Sequence, residues 1–204
     1  MEFLLAIKGK DFVLLASDTL AVRSIAVMKH DHDKFKILTN HSSLAYCGEA
    51  GDTQAFAEYA QKNIQLYSIK NSKDLLPNSA ACYTRRLLAD ALRSRKQYQV
   101  NMLLAGYETI EKNCKLYWID YLAAMAEVPF AAHGYGAYFI MSLLDRMYRP
   151  DLSVEEAKQL LVMCFEEVAR RMVISYPSFR AQLIDQNGVQ NLTLNPIPIV
   201  SPVH

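Results

Sequence analysis

The chain opens on two short apolar runs, Phe3–Ile7 and Phe12–Ala16, with only Lys8, Gly9, Lys10 and Asp11 between them. Neither run alternates. A strand with one face in water carries a polar residue at every second position, so unbroken runs of this length predict strands covered on both faces. The charged, glycine-bearing interruption predicts that the pair folds back as a hairpin. A sheet buried on both sides needs a layer of structure on each, which leaves few architectures open.

Two more strands are predicted at Phe35–Leu38 and Ser43–Cys47, joined by Thr39-Asn40-His41. Helical spacing then takes over. From Asp52, the residues Phe56, Tyr59, Ala60, Ile64 and Tyr67 fall on one stripe. After Pro77, Asn78 is the predicted N-cap of a second helix, with Ala80, Ala81, Thr84, Leu87, Leu88 and Ala91 as its stripe. Strands return at Val100–Ala105 and Leu116–Ile119, around a turn at Glu111-Lys112-Asn113. A third helix is expected over Tyr138–Tyr148, stopping before Pro150.

The fourth helix carries the clearest signals. Ser153 and Glu156 have capping-box spacing, Ala157, Leu160, Leu161, Cys164 and Val168 form the stripe, and Arg170-Arg171 suit the negative end of the dipole. Phe179–Ile184 and Val189–Leu192 flank Asp185-Gln186-Asn187-Gly188, which predicts a closing hairpin. Helix pairs set between hairpins do not read as alternating βαβ units. The predicted class is α+β, a four-layer αββα sandwich over residues 1–192. Residues 193–204, with Pro196, Pro198 and Pro202, are expected to be an extended or disordered tail.

Composition removes whole classes of function. The 204 residues carry 22 Lys and Arg against 21 Asp and Glu, a net charge of +1, so there is no basic excess to neutralise a phosphate backbone. Nucleic acid and anionic membranes are excluded as expected partners. The longest apolar stretch, Tyr121–Leu144, is interrupted by Glu127, Pro129 and His133, and is not expected to span a bilayer. Cys47, Cys82, Cys114 and Cys164 are widely spaced, with no C-x-x-C pair. They are read as reduced thiols packed like small apolar side chains, in a cytosolic or nuclear protein.

Candidate chemistry is sparse. His30-Asp31-His32-Asp33 alternates nitrogen and carboxylate donors, and on a strand its two imidazoles would share a face. It lacks spaced third and fourth ligands, and Lys29 and Lys34 flank it, so a solvated turn is the preferred reading and no metal is expected. His133-Gly134-Tyr135-Gly136 precedes a helix but has neither P-loop nor dinucleotide spacing, and reads as a tight strand-to-helix turn. The 12 tyrosines, without a basic groove, point to core or protein interface rather than to base stacking. No cofactor is expected.

One set of strings, in order and at matching spacing, carries a family resemblance. They are Ala16-Ser17-Asp18, Asp31-His32-Asp33-Lys34, Gly48-Glu49-Ala50-Gly51-Asp52-Thr53, Leu103-Leu104-Ala105-Gly106-Tyr107, Asp120-Tyr121-Leu122-Ala123-Ala124 and Pro129 through Ala137. The chain resembles the beta-type subunits of the eukaryotic proteasome core particle, in particular the non-catalytic beta-4 position (beta type-2 in the alternative naming), from Met1 to about Leu192. The resemblance implies a sandwich of the N-terminal-nucleophile hydrolase type. Its active members use an N-terminal threonine, assisted by an aspartate, a lysine, an oxyanion-holding glycine amide, a serine in a Gly-Ser-Gly turn and a later aspartate.

Asp18, Lys34 and Gly48 match the first aspartate, the lysine and the glycine of that pattern. The nucleophile position holds Met1, a thioether that forms no acyl ester, and no Gly-Thr, Gly-Ser or Gly-Cys junction exists in the sequence. Tyr135 stands in the serine position, and around Ile174-Ser175-Tyr176-Pro177 the later aspartate is missing. The expectation is a vestigial site with no catalytic residue, in which Asp18 and Lys34 persist as an internal ion pair. Ser17 and Cys47 are the residual alternative nucleophiles. The implied partners are other proteasome alpha and beta subunits: beta-3 and beta-5 neighbours in the ring, an alpha-ring and the opposing beta-ring.

Overall fold

The computed structural model describes residues 2–23, 26–172, 176 and 178–192. The opening runs form β1 (Phe3–Lys8) and β2 (Val13–Asp18), paired antiparallel from Leu4↔Ser17 to Lys8↔Val13. Phe3, Leu5 and Ile7 of β1, with Leu14 and Ala16 of β2, enter one core; Leu4 and Ala6, with Val13 and Leu15, enter another. That period of two explains why neither run alternates: both faces are covered. Each large apolar side chain so buried contributes about 1.5–3 kcal/mol.

After the two-stranded ribbon β3 (Ala21–Arg23) and β4 (Ala26–Lys29), the chain runs through β5 (Phe35–Thr39), β6 (Ser42–Gly48), α1 (Ala50–Asn71) and α2 (Pro77–Leu92). There follow β7 (Val100–Glu108), β8 (Asn113–Ile119), β9 (Met125–Glu127), β10 (Phe130–Gly134), α3 (Ala137–Met147), α4 (Val154–Arg171), β11 (Phe179–Asp185) and β12 (Gly188–Leu192). Among the described residues, two five-stranded sheets form, ordered β10-β1-β2-β11-β12 and β5-β6-β7-β8-β9.

Three cores hold these elements. The first joins Phe3, Leu5 and Leu14 to Ile140 and Leu144 of α3 and to Leu161, Cys164, Phe165 and Val168 of α4. The second joins Leu4, Ala6 and Leu15 to Ala45, Leu103, Ala105 and Leu116 of the other sheet. The third joins Leu44, Tyr46, Met102 and Leu104 to Phe56, Ala57 and Ile64 of α1 and to Ala80, Ala81 and Leu88 of α2. The two sheets are also tied by polar contacts. Ser43 Oγ of β6 donates to Gln182 Oε1 of β11 at 2.6 Å, and both residues are buried.

Several local expectations are corrected. Tyr59 and Tyr67 are exposed, because each stands at the rim of the α1 stripe while Thr53, Phe56, Ala57, Ala60 and Ile64 face the sheet. Asn78 does not cap α2. Leu76 takes the extended N-cap conformation and Pro77 the first helical position, where its missing N–H costs nothing. Cys82 is exposed on α2, whereas Cys47, Cys114 and Cys164 are buried. The ribbon β3–β4 and the strands β9 and β10 were not predicted. They are only three to five residues long, too short for periodicity along the chain to single them out.

The capping box of α4 is present as read: Glu156 N donates to Ser153 Oγ, and Ser153 N donates to Glu156 Oε2. The final hairpin is closed by Gln186 and Asn187, with Asp185 paired to Gly188. No described helix is long and apolar enough to cross a membrane. The tail 193–204 lies outside the described residues.

Candidate functional site

Four segments distant in sequence meet where the two sheets share an end. Asp18 closes β2, Lys34 immediately precedes β5, Gly48 closes β6 and Glu2 immediately precedes β1. Asp18 Oδ2 accepts from Lys34 Nζ at 2.7 Å and from the Leu20 amide at 3.0 Å; its Oδ1 accepts from the Phe3 amide at 2.7 Å. Both Asp18 and Lys34 are fully buried. So deep an ion pair depends on the further contacts that surround it, here two backbone amides on the Asp18 carboxylate, and removing one member would leave an uncompensated charge.

Sequence reasoning brought Asp18, Lys34 and Gly48 to this place but missed Glu2, which links them. Glu2 Oε1 lies 3.3 Å from Lys34 Nζ, and Glu2 Oε2 accepts from the Gly48 amide at 2.6 Å. The amide that the resemblance assigns to an oxyanion is therefore already donating to a carboxylate of the same chain. The only signal in the sequence was an acidic residue directly before the first apolar run.

Two glycines make this approach possible. Gly48 has φ +142°, and a Cβ there would collide with the Gln99 carbonyl oxygen; Gly134 has φ +85°, and a Cβ there would collide with the carbonyl oxygen of Glu2. Gly134 pairs with Phe3 as β10 lies along β1. The turn it begins carries Tyr135, whose side chain is 60% exposed. The expected strand-to-helix turn is thus present, leading from β10 into α3.

The alternative nucleophiles are unsuited to the task. Ser17 is fully buried, and its hydroxyl has no hydrogen-bond partner among the described residues. It sits opposite Leu4 on the face between the sheets, while the adjacent Asp18 faces the other way. Cys47 is buried in the same core, and that burial pushes its thiol pKa well above the ordinary value, away from thiolate. Among the described residues, no hydroxyl or thiol hydrogen-bonds to Asp18, Lys34 or the Gly48 amide. Met1, Ile174, Ser175 and Pro177 lie outside the described residues. Tyr176, where the later aspartate was expected nearby, is buried; burial first, then the Asp18 and Glu2 charges, raise its phenol pKa.

The other sequence candidates have structural partners. Residues 30–34 form an irregular segment, not a strand, so the two imidazoles share no strand face. Arg180 of β11 holds both acidic members, pairing with Asp31 and lying 3.5 Å from Asp33. The His32 amide donates to the Thr19 carbonyl at 2.8 Å. Among the described residues, no group of three or more His, Cys, Asp or Glu is placed to hold a metal ion. His133 of β10 stacks on Trp118 of β8 at 5.1 Å and 15°, with its Nε2 3.2 Å from the Met102 carbonyl of β7. Burial lowers its pKa to about 4, so it is neutral near pH 7 and Nε2 is the donor.

A fold of paired apolar sheets with a buried carboxylate–ammonium pair at one sheet end is that of the N-terminal-nucleophile hydrolases. The family model described as Proteasome subunit matches residues 3–184, and the chain belongs to that family. It is 47% identical over 194 residues to the "Probable proteasome subunit beta type-4" of Schizosaccharomyces pombe, covering 95% of this chain and 100% of that one. It is 41% identical to the "Proteasome subunit beta type-4" of Saccharomyces cerevisiae, covering 94% and 97% of the two chains. To the "Proteasome subunit beta type-2" of Oryza sativa it is 42% identical, covering 93% and 89%.

Proposed function

We infer that this chain is a structural beta subunit of the proteasome core particle, filling a place in the beta-ring and helping to wall the proteolytic chamber. The observation that carries the reading is the 41–47% identity, over nearly the whole length, to relatives named as beta type-4 subunits. The subunit is non-catalytic. Supporting this are a thioether at the family's nucleophile position, Tyr135 in place of the serine, and a Gly48 amide engaged by Glu2. Two scaffold groups of a hydrolase remain without a group that could form the acyl intermediate.

The three cores, sheet to helix pair, sheet to sheet and sheet to the second helix pair, support a four-layer αββα sandwich over residues 1–192. Its role belongs to ubiquitin-dependent protein degradation in the cytoplasm and nucleus. Its neighbours are the beta-3 and beta-5 subunits, an alpha-ring and the opposing beta-ring. Large apolar side chains left in water, such as Ile69 at 77% and Tyr138 at 84% exposure, support a surface that partners cover. No cofactor or metal enters this function.

Purification of the chain at high salt tests the assignment: the other core-particle subunits are expected to accompany it, and recovery as an isolated monomer would overturn it. Treatment of the assembled particle with a threonine-directed epoxyketone tests the non-catalytic part. Adducts are expected on other beta subunits and none on this chain.

A further inference from the structure

We propose that the Gly48 amide and the Lys34 ammonium form a carboxylate-binding site, and that the Glu2 side chain is its resident ligand, closing it to any anion from outside. Both oxygens of the Glu2 carboxylate are used, one 2.6 Å from the Gly48 nitrogen and the other 3.3 Å from Lys34 Nζ. Two charge-assisted contacts from separate segments onto one carboxylate make a specific receptor, not a surface ion pair.

Charge balance does not require Glu2 there. Lys34 already has Asp18 at 2.7 Å, and Asp18 is satisfied by that ammonium and two backbone amides. Glu2 is thus a second carboxylate on one buried ammonium, and what it adds is an acceptor for the Gly48 amide. It keeps 18% of its side chain exposed, so the site opens towards solvent on the side from which Glu2 enters.

The receptor is organised without its ligand. Beyond Gly48, the Glu49 amide donates to the Gln99 carbonyl at 2.9 Å, and the Gln99 amide donates to Asp52 Oδ2 at 3.0 Å. The positive φ of Gly48 and its close approach to Gln99 leave the turn little freedom. Lys34 is held from the far side by Asp18. Truncating Glu2 therefore leaves a preformed site for a small monovalent carboxylate, with little left to order on binding.

Amide hydrogen exchange at Gly48, resolved by overlapping peptides of the full chain in the assembly in which it purifies, tests the proposal. In Glu2→Ala the Gly48 amide is expected to exchange about tenfold faster or more, the effect of losing one charge-assisted hydrogen bond. Sodium formate is expected to slow it again in a saturable manner, while formamide at equal concentration and ionic strength does not. An unchanged rate in Glu2→Ala would overturn the proposal. So would a fast rate indifferent to formate, or one slowed equally by formamide. If Glu2→Ala cannot be recovered folded, Glu2→Gln keeps an oxygen acceptor but no charge. Exchange faster than native in that variant supports the proposal and a native rate overturns it. These rates report on the site alone; co-purification and inhibitor labelling report separately on the subunit assignment.

Discussion

At the scale of single residues, the buried cluster decides how tolerant the chain is of change. Replacing Lys34 by Met would leave Asp18 and Glu2 facing each other without a cation. Breaking a buried pair from one side costs about 3–5 kcal/mol. The expected outcome is a fall of that size in the stability of the full chain, measured by denaturant unfolding, with loss of the variant from assembled particles. Met1→Thr carries a different expectation. The Gly48 amide is already held by Glu2 and is not free to receive an oxyanion. Fluorogenic peptide turnover by particles carrying Met1→Thr is expected not to exceed that of native particles. Of the cluster itself, Asp18, Lys34 and Gly48 were legible only through their family resemblance, and Glu2 was marked by nothing beyond its place before the first apolar run. Spacing along a chain reports local periodicity, and nothing local states that residues 2, 18, 34 and 48 converge.

Among the elements, α4 was read most fully because its signals are local. The cap, the stripe and the terminal arginines all lie within one segment. Ser153→Ala removes the oxygen that accepts from Glu156 N, and is expected to cost about 1 kcal/mol of stability, seen as a lower denaturation midpoint. The end of α1 offers the opposite test. Ser72 takes the left-handed conformation at φ 50°, ψ 32°, a position that glycine fills without steric cost. Ser72→Gly is expected to stabilise the chain by about 0.5–1 kcal/mol in the same measurement. The elements that escaped notice were fixed from outside themselves. β10 carries His133 and follows Pro129, so its own pattern is unremarkable; pairing with β1 makes it a strand. Likewise the N-terminus of α2 was set by the geometry of Pro77, and Asn78, a good cap in isolation, was bypassed.

Across the whole molecule, the contact between the two sheets holds a buried histidine. His133 spans it, stacked on Trp118 and donating to Met102 of the opposite sheet. Its folded pKa, lowered to about 4 by burial, lies below the 6.5 expected when unfolded. Between those values the unfolded chain takes a proton that the folded chain refuses, so stability is full above about pH 6.5 and is lost as pH falls towards 4. The loss is on the order of 3 kcal/mol. Unfolding midpoints measured between pH 7 and pH 4 are expected to fall in the native chain, and to fall less in His133→Gln. A second expectation concerns the outer surface. Tyr138→Asp leaves every core untouched, because the side chain is 84% exposed, yet is expected to reduce incorporation into particles while the circular dichroism of the full chain stays native.

The contact of Gly134 with the backbone of Glu2 reaches further than steric fit. The turn that offers Tyr135 to the outside and leads into α3, with its exposed Tyr138, is laid directly against the segment Glu2-Phe3 that contacts the buried ions. With no room for a Cβ between Gly134 and the Glu2 carbonyl, the outward turn and the buried carboxylate share one backbone contact, and a side chain added at Gly134 would press on both.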